Sequence, residues 1–267
     1  MSTPRRRIFI TGRSRSGTTL VQSLLTSQPG IRVFNDVLAP LGTMLSRAHG
    51  ARRALEGRQK NIALASVKHD LRHHVASEAL QALDVSTNLD ELLERALALL
   101  DLHVEGPPKE AAWIGHKSNS QAAALPHLLE ETDVHCIYVV RDVRDVMLSL
   151  LNFWHTVDPQ RVVDGWLNEL RVVEPLRGHD RCCVVRYEDL VRSPDAALEP
   201  VAAMLDVRLD TTLPLVDERG RPWRANSAFR DVRSAFDASA LERWRQSDAA
   251  EVAYAAARCS RTLGAWG

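Results

Sequence analysis

Eight consecutive residues near the amino end, Gly12 to Thr19 (GRSRSGTT), gather the makings of an anion site. Glycines at both ends of a turn let backbone N–H groups face a ligand, and a helix that starts at Thr18 adds the positive end of its dipole. Arg13 and Arg15 place cations in the turn, while Ser14, Ser16, Thr18 and Thr19 place hydroxyl donors there. A second pair with the same preference lies far downstream, where Arg141 is followed eight residues later by Ser149. A guanidinium fork at a strand end and a hydroxyl two helical turns on can share one phosphate. Asp36, His116 and Lys117 are the candidate acid–base groups, each next to a predicted strand end.

The elements that must position these residues follow from periodicity. Ile8 to Ile10 reads as a buried strand, and Thr18 onward as a helix with Leu20, Val21, Leu24 and Leu25 on one face. Residues 31–34 predict a second strand that ends at Asn35 and Asp36. From 40 to 101 the pattern is helical, over 41–54 and 62–83 and then from a capping-box start at Asn88 with Glu91. This insertion, about 40–105, is expected to wall the acceptor side. Gly106, Pro107 and Pro108 break the chain, and 112–115 predicts a third strand that delivers His116, Lys117 and Ser118 to the same cleft. Residues 120–131 predict a helix, in which Pro126 implies a kink or an early stop.

Val134 to Val140 is apolar enough for a buried parallel strand leading into Arg141, and 141–154 then turns to helix with Asp145, Ser149 and Asn152 near one face. A helix over 158–177 and a strand over 182–185 follow. Arg186 to Val191 (RYEDLV) precedes Ser193 and Pro194, which open a helix reaching Leu205. The arginine-rich stretch 214–236, with Trp223, Arg224, Asn226 and Ser227, predicts a loop that closes over the ligand. Helices at 241–244 and 252–263 end the chain, the last one closed by Gly264. Strands alternating with helices, and ligand motifs at strand carboxyl ends, predict an α/β fold, a doubly wound parallel sheet in a single domain spanning 1–267 with its helical insertion.

The spacing Gly12-x4-Gly17 matches the phosphate loop G-x4-G-K-[ST] of nucleoside triphosphate enzymes, but Thr18 stands at the lysine position. Loss of the cation that balances β and γ phosphates argues against γ-phosphoryl transfer. The run Arg15-Ser16-Gly17-Thr18-Thr19 instead resembles the 5′-phosphosulfate loop of sulfotransferases that use 3′-phosphoadenosine 5′-phosphosulfate (PAPS). Arg141 with Ser149 is similar to the 3′-phosphate motif of that family, and RYEDL followed by a turn and an amphipathic helix resembles a third signature. The resemblance covers Ile8 to Gln28, Val134 to Trp154 and Cys182 to Leu205, and loosely Trp113 to Ser118.

This resemblance implies transfer of a sulfuryl group to a hydroxyl, less readily an amine, of a small-molecule or carbohydrate acceptor, with release of adenosine 3′,5′-bisphosphate and no need of a metal. It implies that Arg13, Ser14, Arg15, Ser16, Gly17, Thr18 and Thr19 hold the phosphosulfate, Arg15 being catalytic as well. Arg141 and Ser149 would hold the 3′-phosphate, and Tyr187 would lie near the adenine, with Arg224, Asn226 and Ser227 in the lid. The cytosolic small-molecule branch carries K-T-H after its third strand, and matching Lys117 to that lysine puts Asn119 at the base position. The carbohydrate and protein-tyrosine branches use an acidic residue shortly after the loop helix, and Asp36 stands in the comparable place. Asp36 is therefore the preferred base over His116. An ATP-dependent small-molecule kinase and a non-catalytic nucleotide-binding module are the alternatives.

Bulk composition bounds the rest. A chain of 267 residues, 45% hydrophobic, can bury a full core. With 34 basic and 34 acidic residues, no whole-chain field recruits nucleic acid or acidic membrane, so any anion site must be local. Cys136, Cys182, Cys183 and Cys259 form no CxxC pair and read as core thiols. His69, His73 and His74 have helical spacing but no accompanying carboxylate motif, so a solvated helix face is expected there and no metal site. No stretch approaches the roughly 18 apolar residues of a membrane span, and the absence of a signal-type apolar region predicts a cytoplasmic protein. A homodimer is compatible with the sequence.

Overall fold

The computed structural model describes residues 6–35, 111–154, 156–217, 219–223 and 236–266. Asp36, the predicted helical insertion with its three histidines, and Arg224, Asn226 and Ser227 lie outside the described residues.

Five strands form one parallel sheet: β1 (Arg6–Gly12), β2 (Ile31–Asn35), β3 (Trp113–Lys117), β4 (His135–Val140) and β5 (Cys182–Arg186), in the order β2-β3-β1-β4-β5. The helices are α1 (Thr18–Thr26), α2 (Leu125–Glu131), α3 (Val143–Trp154), α4 (Pro159–Val173), α5 (Tyr187–Arg192), α6 (Pro194–Leu205) and α7 (Ala250–Trp266). Strands buried on both faces need apolar side chains on both, which is why β1 and β4 read as almost continuous apolar runs. Alternate residues of β4 serve two separate cores. Cys136, Tyr138 and Val140 pack with α2, α3, α4 and α7 on one face, and Ile137 and Val139 pack with α1 and α6 on the other. The sheet is thus doubly wound, as predicted.

Parallel registry brings the carboxyl ends of β1, β3, β4 and β5 to one edge. Gly12 lies opposite Val139, Ile10 opposite Lys117, and Val140 opposite Arg186. The chain leaves each of these ends into a loop or helix start, so residues distant in sequence share one rim.

Several local expectations change. β3 runs on through His116 and Lys117, because it is paired on both sides, with β1 and with β2. The two side chains therefore belong to the sheet, both buried, rather than to a loop beyond it. Pro126 kinks nothing: a 3-10 turn over Ala122–Ala124 comes first, and the proline falls in the first turn of α2, where its missing N–H costs no helical bond. The helix expected over 158–177 is α-helical to Val173 and then a 3-10 turn. Gly264 does not end α7, which continues to Trp266; that ring is buried, with the Arg177 guanidinium 3.6 Å from its centroid. Residues 241–244 contribute only to a 3-10 turn at Arg243–Gln246. Ser193 occupies the cap position of α6, but its hydroxyl makes no capping bond. The four cysteines are free thiols, as read from the sequence.

Close approach of β1 to β4 depends on Gly12. A Cβ there would lie 2.2 Å from the Val139 carbonyl oxygen, a backbone atom that cannot turn aside. Gly12→Ala is expected to lower stability by about 1–3 kcal/mol through overpacking. Urea unfolding checks this, and a wild-type midpoint would contradict it.

Candidate active site

The loop between β1 and α1 is built around two left-handed residues. Gly17 has φ +93°, and a Cβ on it would stand 2.3 Å from the Tyr187 ring, so only glycine fits between ring and helix start. Arg15 has φ +76°, a conformation that costs a non-glycine residue about 1–2 kcal/mol. The turn is closed by the Ser16 N–H donating to the Arg13 carbonyl at 3.0 Å. α1 then starts at Thr18 with no side chain capping its first turn, and Ser16 keeps a fully buried hydroxyl without a hydrogen-bond partner. Uncapped amides and an orphaned hydroxyl in one turn are what an anion would satisfy.

Arg15 and Arg141 meet at this loop. The Arg15 Nε donates to Ser149 Oγ at 3.0 Å, and the guanidinium lies 5.6 Å from the Phe153 ring centroid. Arg141, 7% exposed, donates from Nη1 to the Arg15 carbonyl at 3.1 Å and from Nη2 to the Ala240 carbonyl at 2.8 Å. Its guanidinium stacks 4.4 Å from the Tyr187 centroid, and its own carbonyl accepts from Trp166 Nε1 at 3.0 Å. Burial, and then the positive charge of Arg141, lower the proton affinity of Arg15 from the ordinary arginine value. An anion placed there would favour the charged form and so oppose both effects.

Carboxylates fix the surroundings. Asp145, in the first turn of α3, accepts from the Glu242 and Trp244 N–H groups at 2.8 and 3.1 Å and so fastens the segment after residue 236 to the start of α3. Burial raises its pKa, while Arg141 and these two donors oppose the rise. Glu188 accepts from the Asp142 N–H at 3.0 Å and joins the end of β4 to α5; burial raises its pKa, against that donor. Tyr187 bridges Gly17 and Arg141 by its ring faces, and burial pushes its hydroxyl pKa up.

The predicted residues divide by place. Arg15, Ser16, Gly17, Thr18, Arg141, Ser149 and Tyr187 come together at the rim. Thr18 donates to Asn119 Oδ1 at 2.8 Å, which brings the loop after β3 to the same point. Ser14 and Thr19 belong to the same turn and helix start. Arg13 points elsewhere: its guanidinium donates to Glu169 Oε1 at 3.1 Å and to the Arg161 carbonyl at 3.4 Å, both on α4. His116 and Lys117 are buried on opposite faces of β3, and the His116 ring lies 6.0 Å from that of Phe34. Sequence reading missed Glu169, Asp145 as a fastener, and Ala240 to Trp244; only Asp145 had a signal, its place on the Ser149 face. Among the described residues no group of three or more His, Cys, Asp and Glu could hold a metal, and no helix is long and apolar enough to cross a membrane.

Comparison with known proteins bears on the fold and on the family. A Protein-tyrosine sulfotransferase of Drosophila melanogaster is 24% identical over 210 residues, 75% of this chain but 38% of that protein, so the chain spans well under half of that relative's length. The sulfotransferase domain of the Synechococcus PCC 7002 olefin synthase superposes with TM-score 0.55 at 20% identity, covering 97% of this chain and 96% of that one. The sulfotransferase domain from the curacin biosynthetic pathway gives 0.53 at 17% identity, with 97% and 99% covered. At these identities the likeness is one of fold. The model of the Sulfotransferase family matches residues 7–211, from β1 to beyond α6, and with that match over most of its length the chain belongs to the sulfotransferase family.

Proposed function

We propose that the protein moves a sulfuryl group from PAPS to a hydroxyl, less readily an amine, of a small-molecule or carbohydrate acceptor and releases adenosine 3′,5′-bisphosphate. The observation that carries this reading is the convergence of two anion motifs from separate strand ends, with Arg15 bonded to Ser149 and Arg141 bonded to the Arg15 carbonyl. A donor with one anion at C5′ and another at C3′ suits such a pair of adjacent cations. The amides of Ser16 to Thr19 and the Arg15 guanidinium would stabilise charge on the transferring group and on the leaving phosphate by preorganised electrostatics. Arg141 and Ser149 would orient the nucleotide through its 3′-phosphate.

The acceptor proton is assigned to Asp36, which follows Asn35 at the carboxyl end of β2; Asn35 is in register with Lys117. His116, buried within β3, is the second candidate. Phe153, whose ring lies beside Arg15, packs edge to face with Trp154, and the two, 45% and 54% exposed, would offer an aromatic wall to the acceptor. A kinase reading has less support, since Thr18 replaces the phosphate-balancing lysine and instead bonds Asn119. Cytoplasmic placement is proposed from the sequence alone.

Two measurements test this reading. Adenosine 3′,5′-bisphosphate should raise the melting temperature in the presence of a chelator, by about 2.7 kcal/mol of stabilisation at 100 times its Kd, and ATP with magnesium should do less. The reverse order would favour the kinase. Arg141→Ala should weaken bisphosphate binding by about 1.5–3 kcal/mol, the usual worth of a hydrogen bond to a charged group. By titration calorimetry it should affect adenosine 5′-phosphate far less, and equal losses for both nucleotides would make Arg141 structural.

A further inference from the structure

Behind the loop lies a buried carboxylate that the proposed chemistry does not use. Glu169, on α4, is 8% exposed. Its Oε1 accepts from Arg13 at 3.1 Å and its Oε2 from the Tyr138 hydroxyl at 3.1 Å. The two donors come from different places: Arg13 from the loop after β1 and Tyr138 from the body of β4. α4 is shaped to admit the first of them, because a Cβ on Gly165 would stand 2.2 Å from Arg13 Nη2.

Arg13 is the residue whose carbonyl closes the loop turn by accepting the Ser16 N–H. Between these two residues sits Arg15, in its left-handed conformation. That conformation persists only where neighbours over-determine it. On one side Arg141 and Ser149 hold Arg15; on the other the fixed point is Arg13, anchored in α4. We propose that Glu169 is a positioning residue for the anion loop: by taking the Arg13 guanidinium into α4, it keeps that cation out of the loop mouth and keeps the turn that presents Arg15 closed. The inference rests on the donor reading above, since it concerns how the same loop meets a 5′-phosphate. It assigns Arg13 to the frame of the loop and not to the phosphate.

The test is titration calorimetry with adenosine 3′,5′-bisphosphate and, separately, adenosine 3′-phosphate, on the wild type, Glu169→Gln and Gly165→Ala, with melting temperatures recorded. Gly165→Ala keeps the carboxylate and favours the helix, but displaces the end of Arg13. In both variants the bisphosphate Kd should rise about 10- to 100-fold, as for a lost charge-assisted hydrogen bond, while the Kd for the 3′-monophosphate stays within about twofold. A merely structural role would weaken both nucleotides alike, and that outcome overturns the inference, as does unchanged or tighter bisphosphate binding. If Glu169→Gln does not fold, Gly165→Ala decides alone. A wild type that binds no bisphosphate overturns the donor reading itself and this inference with it, so the two failures are told apart.

Discussion

Two guanidinium groups held at one rim of a parallel sheet set the conditions for the rest of this structure. Arg15 and Arg141 repel each other and are both largely withdrawn from water, an arrangement that lowers the proton affinity of Arg15. Water would ordinarily solvate such groups, so the protein must supply substitutes. It does so with neutral acceptors and π faces: the carbonyls of Arg15 and Ala240, the Ser149 hydroxyl, and the rings of Tyr187 and Phe153. Asp145 adds a negative charge in reach of Arg141 but spends its hydrogen bonds on backbone N–H groups. These described contacts hold both cations at the rim, where their field acts on a ligand.

The sheet makes this arrangement affordable. Because all five strands run the same way, four carboxyl ends lie side by side, and each contributes one fixed piece: the β1 loop its amides and Arg15, the β3 loop Asn119, the β4 end Arg141, and the start of α5 Tyr187 and Glu188. Close backbone packing is the condition. Gly12 lets β1 lie against β4, and Gly17 lets the Tyr187 ring lie against the helix start, so the two glycines of the motif serve contact as much as turn geometry. Behind the loop, the Glu169 carboxylate meets the remaining cation, Arg13, which would otherwise add a third positive charge at the rim.

What could be read from the sequence was whatever local chemistry dictates. Apolar runs identified the strands, since a strand covered on both faces has no polar face to alternate with, and the glycine, serine and threonine run identified the turn between β1 and α1. Helical spacing placed Ser149 two turns from Arg141, but the bond that Ser149 makes comes from Arg15. What depended on tertiary partners was not legible. Arg13 and Arg15 look equivalent in sequence, yet one is drawn into α4 by a carboxylate 156 residues away and the other faces the rim. His116 and Lys117 were expected beyond a strand end, but pairing on both sides of β3 carries the strand past them. Pro126 and Gly264 were read by their usual meanings, as a helix breaker and a helix stop. A preceding 3-10 turn moved the first into a tolerated position, and the buried Trp266 carries the helix past the second.

In the proposed complex one nucleotide spans both anion motifs, with its 5′ end on the glycine loop and its 3′ end on Arg141. A crystal structure of the protein with adenosine 3′,5′-bisphosphate tests this most directly. The 5′-phosphate is expected within hydrogen-bond distance of the amides of Gly17 to Thr19 and of Arg15, and the 3′-phosphate on Arg141 and Ser149. A nucleotide bound with its phosphates exchanged, or bound away from this rim, would contradict it.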